Sequence, residues 1–328
     1  MIIDGSKGHG GGQIIRTATA LSAITGKSFK IKNIRAKRPN PGLRPQHLQG
    51  INAVAELCDA EVDGNHENST KLEFIPKKIQ PKRILVDTQT AGSVTLVLQT
   101  ILLPCFQAKK PVEIEVRGGT DVKWSPPIDH QINVLQPILN KMGFKSETKL
   151  EKRGYYPKGG GKITTKTFPS QPKNLKLTEK TEMKKIFGIS HASKKLQKAR
   201  VAERQAEAAK KLLGNPEIKI QYHETPSIGT GIQLWAKTEN SVLGANALGQ
   251  KGVPAETIGE KAVERLLAQE GAVDEWTTDQ IVPYMALTEN SQILASKISE
   301  HCKTNMEITQ KFTDKKFIVE DRLIKVGE

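Results

Sequence analysis

The feature that most narrows the fold of this 328-residue chain is one order of elements that returns about 80 residues after its first appearance. A short strand is expected at 1–4, then a glycine loop, then a helix at 14–24 halted by Gly26. A strand at 29–34, a second helix at 46–58 and a strand at 72–75 complete the unit. From Arg83 the order recurs: a strand at 84–87, a turn at Thr90 to Ser93, a helix at 94–103, a strand at 112–116, a helix at 128–142 and paired strands at 147–152 and 162–166. A third copy assembles only by skipping a segment, with helices at 279–287 and 301–311 and closing strands at 317–319 and 323–326. Repetition of a two-helix, several-strand module implies pseudo-symmetric units that lay helices on one face of a sheet.

Between residues 178 and 271 the texture changes. A Lys/Arg/Ala/Glu-rich helix is expected at 193–213, strands at 218–222 and 232–237, and a helix at 255–268, an order that suits a small inserted α/β domain. The expected organisation is therefore a large domain from 1–177 and 272–328, interrupted by a smaller one at 178–271.

Composition sets outer limits. Hydrophobic residues make up 37% and charged residues 26%, which excludes collagen-like and wholly disordered classes. The longest apolar stretch, 94–106, falls short of the roughly 20 residues that span a bilayer, and the N-terminus has no signal-peptide pattern, so a cytoplasmic protein without a membrane segment is expected. Three widely spaced cysteines, Cys58, Cys105 and Cys302, argue against a disulfide framework or a Cys-rich zinc site, and for a reducing compartment. The formal charge of +15 favours a polyanionic partner such as nucleic acid or a nucleotide, although a solvated basic face gives the same number.

The loop from Asp4 to Gln13 joins a strand to a helix, where glycines let backbone N–H groups approach phosphate oxygens. It matches neither a Walker A loop nor a dinucleotide fingerprint, and taken alone it is equally a tight turn. Arg16, Arg35, Arg38 and Arg44 follow, three of them in a Pro/Gly-stiffened loop where guanidinium forks can grip phosphate. No two of the seven histidines have the i, i+4 spacing of a zinc helix. His301, at an expected helix start with Lys303 and Thr304 close by, is by itself more readily a structural residue than a catalytic one.

Several segments together carry more. Arg153-Gly-Tyr-Tyr-Pro-Lys-Gly-Gly-Gly-Lys-Ile163, the opening glycine loop, the stretch from Arg35 to Leu48, Ala91 to Gln99, Gly118 to Asp121, Pro126-Pro127 and Ser299 to Asn305 occur in one order. In these motifs the chain resembles the RNA 3′-terminal phosphate cyclases nearly from end to end, with the inserted segment least specific. The resemblance implies an α/β (α+β) fold of three repeated β-α-β-α-β-β modules, with the smaller α/β domain inserted into the third. It also implies ATP-dependent ligase and nucleotidyl-transfer chemistry on RNA bearing a 3′-phosphate. A histidine attacks the α-phosphorus of ATP and releases pyrophosphate, AMP passes to the RNA 3′-phosphate, and the vicinal 2′-OH closes a 2′,3′-cyclic phosphate and frees AMP.

His301 matches the position of that nucleophile. Neutral imidazole offers an unshared pair at physiological pH, and its phosphoramidate is labile enough to hand the nucleotidyl group onward. Arg16, Arg35, Arg38 and Gln46 match residues that hold the RNA terminal phosphate or the ATP phosphates. Gln99 matches a neighbour of the nucleotide, Pro126 and Trp276 a sandwich around adenine, and Asp279 and Gln280 contacts to the nucleoside. At one position the chain departs from the pattern: His9 stands where the family usually has a Glu that holds the divalent cation, Mg or Mn, on the ATP phosphates. Mg²⁺ prefers oxygen ligands, whereas imidazole suits Mn²⁺ and its softer neighbours better. Two other readings stay in view, a catalytically silent relative acting in RNA processing or ribosome assembly, and an enolpyruvyl transferase built from similar repeated modules.

Overall fold

A computed structural model describes residues 1–8 and 11–327. The first sheet contains β1 (Ile2–Asp4), β2 (Phe29–Lys32), β3 (Glu61–Asp63) and β4 (Leu72–Ile75), with α1 (Gln13–Thr25) and α2 (Pro45–Cys58) between its strands. Its order is β1-β2-β4-β3; β1 and β2 are parallel, and the other pairs are antiparallel. The second sheet takes β5 (Arg83–Asp87), β6 (Val112–Gly118), β7 (Ser146–Lys152) and β8 (Gly161–Thr167) in the order β5-β6-β8-β7, with the same directions. Here the helices are α3 (Val94–Cys105) and a run made of α4 (Ile128–His130), a π-turn (Gln131–Leu135) and α5 (Gln136–Lys141).

The third sheet begins with β9 (Lys176–Leu177), which precedes a fourth sheet of β10 (Lys185–Ser193), β11 (Glu217–His223), β12 (Thr230–Lys237) and β13 (Val242–Leu248). That fourth sheet carries α6 (Val201–Leu213) and α7 (Ala255–Leu267). After it, α8 (Glu275–Met285), β14 (Gln292–Leu294), α9 (Glu300–Phe312), β15 (Lys316–Glu320) and β16 (Leu323–Gly327) complete the third sheet. Its order is β9-β14-β16-β15, and β9 pairs in parallel with β14 across the intervening segment. The closure is reinforced at its edge: Asn174 Oδ1 accepts from the N–H groups of both Glu289 and Asn290 at 3.1 Å.

The helices form where the sequence supplies both an apolar stripe and an end. Ile14, Ala18 and Leu21 bury one side of α1, and Gly26 closes the helix at φ 71°, a left-handed conformation that a side chain would strain. Ser93, Asp274 and Ser299 cap α3, α8 and α9 by accepting backbone N–H bonds from Leu96, Thr277 and Cys302. One apolar cluster runs through the first three sheets and their helices, and a second lies between the fourth sheet and α6 and α7. Helix α1 packs against α2, α3 and α9, so the N-terminal glycine loop and the start of α9 come together although almost 290 residues separate them.

Two expected elements are corrected. The helix anticipated at 193–213 is instead the end of β10, a 3₁₀ stretch (Lys194–Ala199) and α6, because Arg200 is left-handed (φ 51°) and breaks the helical path. The helix at 128–142 carries a π-turn just before Pro137, whose ring nitrogen has no hydrogen to continue the α ladder. The strands β3, β9, β10, β13 and β14 have no clear sequence signal. Three are only two or three residues long, and β10 and β13 are rich in small residues such as Gly188, Ser190, Gly244 and Ala245.

Candidate active site

The start of α9 faces the start of α1 across a cleft of about 280 Å³, lined by Gln13, Arg16, Leu96, Gln99, Trp124, Ser125, Pro126, Trp276, Asp279, Gln280 and His301. His301, in the first turn of α9, is exposed on its wall. Gln13 is buried and holds the histidine at two points. Its Nε2 donates to the His301 carbonyl, and its Oε1 meets His301 Nδ1. A carbonyl can only accept, which fixes the orientation of the amide and turns its oxygen toward the ring. Nδ1 therefore carries the proton, and in the neutral ring the imidazole lone pair falls on Nε2. The sequence reading missed Gln13, although it closes the glycine loop that drew attention there.

Asp279 and α9 are connected by a relay. The Cys302 N–H donates to Ser299 Oγ at 3.0 Å, and that hydroxyl donates to Asp279 Oδ1 at 2.6 Å. Burial raises the Asp279 carboxyl to about 7, while the Ser299 bond pulls the other way. Asn305 Nδ2 donates to the Asp279 carbonyl at 2.6 Å, and Asn305 Oδ1 accepts from Thr17 Oγ1 at 2.7 Å, which locks α1, α8 and α9 together behind the cleft.

One turn along α1 from Gln13, Arg16 Nε donates to Gln99 Oε1 at 3.0 Å, an amide rather than a carboxylate, so among the described residues no carboxylate compensates the guanidinium charge there. Desolvation pulls its pKa down to about 10. His47 lies behind the glycine loop, so close that a Cβ at Gly12 would fall 2.0 Å from its Nε2. Burial, with Arg16, Arg35 and Arg44 nearby, depresses His47 to about 3 and keeps it neutral, and its Nδ1 accepts the Arg44 N–H at 3.1 Å.

Of the residues the sequence singled out, Arg16, Gln99, Pro126, Trp276, Asp279, Gln280 and His301 share this one cleft. Arg38 reaches its mouth: a Cβ on Gly11 would lie 3.2 Å from Arg38 Nη2 and 3.9 Å from His301 Cε1. Arg35 is spent locally, its Nη1 donating to the carbonyls of Asn40 and Gly42 at 2.7 and 2.8 Å. Gln46 accepts the Ser93 N–H at 3.2 Å and lines an adjoining cleft instead. His9 lies outside the described residues.

A second cluster, to which the sequence reading gave no role, surrounds Arg153. Its fully buried guanidinium meets Asp121 and Asp129 at 2.9 Å each. His191 Nε2, from β10, lies 3.3 Å from Asp121, and His191 Nδ1 lies 2.7 Å from the Tyr155 hydroxyl. Burial alone would raise the Asp121 carboxyl, but Arg153 and His191 outweigh it and hold it well below its ordinary value. The two aspartates and His191 come close enough to share a cation, yet Arg153 already supplies that positive charge. Two glycines packed against this segment or within it are sterically required. A Cβ on Gly154 would fall 2.3 Å from the Gly161 nitrogen, and one on Gly229 would fall 2.1 Å from Tyr155 Cγ.

Residues 7–319 match the family described as RNA 3′-terminal phosphate cyclase. The chain belongs to that family. A cyclase from Pyrococcus furiosus is 47% identical over 100% of this chain and 97% of its own length. One from Methanopyrus kandleri is 44% identical over 94% and 92%, and one from Methanosarcina barkeri 43% over 98% and 96%. Among solved structures, the enolpyruvyl transferase NikO from Streptomyces tendae aligns over 51% of this chain and 33% of its own, at 13% identity and a TM-score of 0.28, too weak a likeness to carry a conclusion. For a member of this cyclase family, the cleft between α1 and α9 is the place where the motif residues converge. Among the described residues, no helix is long and apolar enough to cross a membrane.

Proposed function

We propose that the chain is an ATP-dependent RNA 3′-terminal phosphate cyclase that works through a covalent histidine–AMP intermediate. The observation that carries this reading is the posture of His301: exposed on the cleft wall, with Nδ1 turned to Gln13 so that the lone pair sits on Nε2, in a cleft that also holds Arg16. Nε2 of His301 attacks the α-phosphorus of ATP and pyrophosphate leaves. The 3′-phosphate of the RNA then displaces the histidine, and the 2′-OH attacks the activated phosphorus to close the 2′,3′-cyclic phosphate and release AMP.

Trp276 and Pro126, both on the cleft wall, suit the two faces of an adenine, and Gln280 and Asp279 suit the nucleoside edge. Arg16, uncompensated and partly desolvated, together with Arg38 at the mouth, offsets the charge that gathers on phosphorus in each transfer. A divalent cation accompanying the triphosphate finds one carboxylate among the described residues of this cleft, Asp279, and that is already bonded to Ser299. Such an ion would therefore be held chiefly by phosphate oxygens and water.

Incubation with α-labelled ATP tests the reading. The protein should retain an acid-labile, alkali-stable label, and RNA ending in a 3′-phosphate should remove it as a cyclic end appears. A chain that takes up no label with any of Mg²⁺, Mn²⁺ or Co²⁺ would instead be a silent relative of the cyclases.

A further inference from the structure

Beside the His301 cleft lies a wider one of about 590 Å³, and Leu96 and Trp124 line both, so the two are continuous. Its walls include Gln46, Lys123, Tyr156 and, from the loop between β11 and β12, Ile228. Trp124 is 94% exposed and Tyr156 75%, an unusual fate for large aromatic rings. Trp124 also has φ 63°, a left-handed backbone that costs a bulky residue energy and persists only when its surroundings impose it.

The segments that carry the two rings are held together at their base. A backbone bridge joins Asp121 to Tyr155, and the buried Arg153–Asp121 ion pair clamps the two segments side by side. The rings thus project from a rigid base, and exposed Lys123 and Lys158 flank them. Exposed aromatic faces on a fixed mount with lysines alongside suit single-stranded nucleic acid, whose bases stack without regard to sequence and whose phosphates seek positive charge. The +15 charge of the chain and the cleft's continuity with the His301 wall point to the same occupant.

We propose that this cleft seats the nucleotides immediately 5′ of the reacting RNA end, with their bases against Trp124 and Tyr156 and their phosphates near Lys123 and Lys158. The assignment rests on the cyclase reading above and names the path by which RNA enters its site. It makes the enzyme a reader of RNA length rather than of the terminal nucleotide alone.

Two measurements test it. In the first, KM is compared for a mononucleotide 3′-phosphate and a hexanucleotide 3′-phosphate. The hexamer should bind more tightly, and Tyr156→Ala should raise its KM roughly 10-fold or more, with Tyr156→Phe restoring it. Labelling by ATP alone and the KM of the mononucleotide should not change, which also shows that the variant is folded. Equal KM values for the two substrates in the native protein, or an equal effect of Tyr156→Ala on both, would overturn the proposal. In the second, a hexanucleotide with 5-iodouridine two positions from its 3′-phosphate is crosslinked by light and the adduct mapped. Adducts on Trp124 or Tyr156 support the path, whereas adducts elsewhere, or none, sink it. This readout does not depend on turnover: the expected crosslinks without any cyclic product would refute the catalytic reading and leave the RNA path standing.

Discussion

In the cleft beneath α9, Arg16 has an amide for a partner, His301 is steadied by an amide, and both face space that a ligand can enter. Around Arg153, by contrast, two carboxylates close on one guanidinium that has no exposure at all, and a histidine backed by a phenol pairs with one of those carboxylates. Both assemblies draw on segments distant in sequence, and both contain an arginine and a histidine. They differ in what compensates the charge. Pairing with carboxylates makes a clamp, whereas pairing with neutral amides holds geometry without neutralising charge. The clamp also has a service role, since it fixes the strand ends from which Trp124 and Tyr156 emerge.

The largest effect should come from His301→Ala. Covalent labelling by ATP should disappear altogether, with Tm within a few degrees of the native value, because the ring is exposed and its removal empties no core. Persistent label would mean that the open site is not where the chemistry occurs.

Arg153→Met should do the opposite. Removing one partner strands Asp121 and Asp129 as uncompensated buried charges, at a cost of about 3–5 kcal/mol, visible as a lower urea midpoint. The folded fraction should still take up label from ATP. Unchanged stability together with lost labelling would place catalysis in the clamp and reverse the comparison.

Gln13→Leu probes positioning. With Nδ1 no longer held, the labelling rate should fall by about 10- to 100-fold. Gln13→Glu sharpens the point, because a carboxylate facing Nδ1 stabilises imidazolium and raises its pKa. The acid limb of the pH–rate profile should then move to higher pH. A profile that does not shift would disconnect Gln13 from the ring.

The smallest effect concerns Asp279. Its pKa of about 7 lies above the unfolded value of 3.8, so the folded protein holds this proton more tightly than the unfolded chain. The resulting stability is fully present below pH 4 and is lost as pH rises through 7. Urea midpoints measured from pH 5 to 8 should therefore fall more steeply for the native protein than for Asp279→Asn. Parallel curves would show that the carboxyl ionises as it does in water.

Much of the fold was legible because apolar periodicity and caps are local. Gly26, Ser93 and Ser299 mark helix ends within the segments they terminate, and the order of the first module foretold the second. The two- and three-residue strands β9 and β14 were not legible, since they exist only because each supplies the other's hydrogen bonds across more than 100 intervening residues. Arg200 broke an expected helix through its own backbone angle, which composition does not signal. The motif residues His301, Arg16 and Trp276 come together in one cleft, but the contact of Gln13 with His301 became apparent only when α1 met α9, and Arg35 turned inward to carbonyls of its own loop.

The sequence by itself determined the recurring order of elements, the helix ends, the positive charge and the motifs that mark the family, because each is fixed by a residue and its near neighbours. Tertiary structure alone decided which nitrogen of His301 keeps its proton, why Asp279 resists ionising, and which arginine is buried as a clamp and which is left for a ligand. Those properties depend on groups hundreds of positions apart approaching to within hydrogen-bond distance and displacing water, and only the packed chain brings that about.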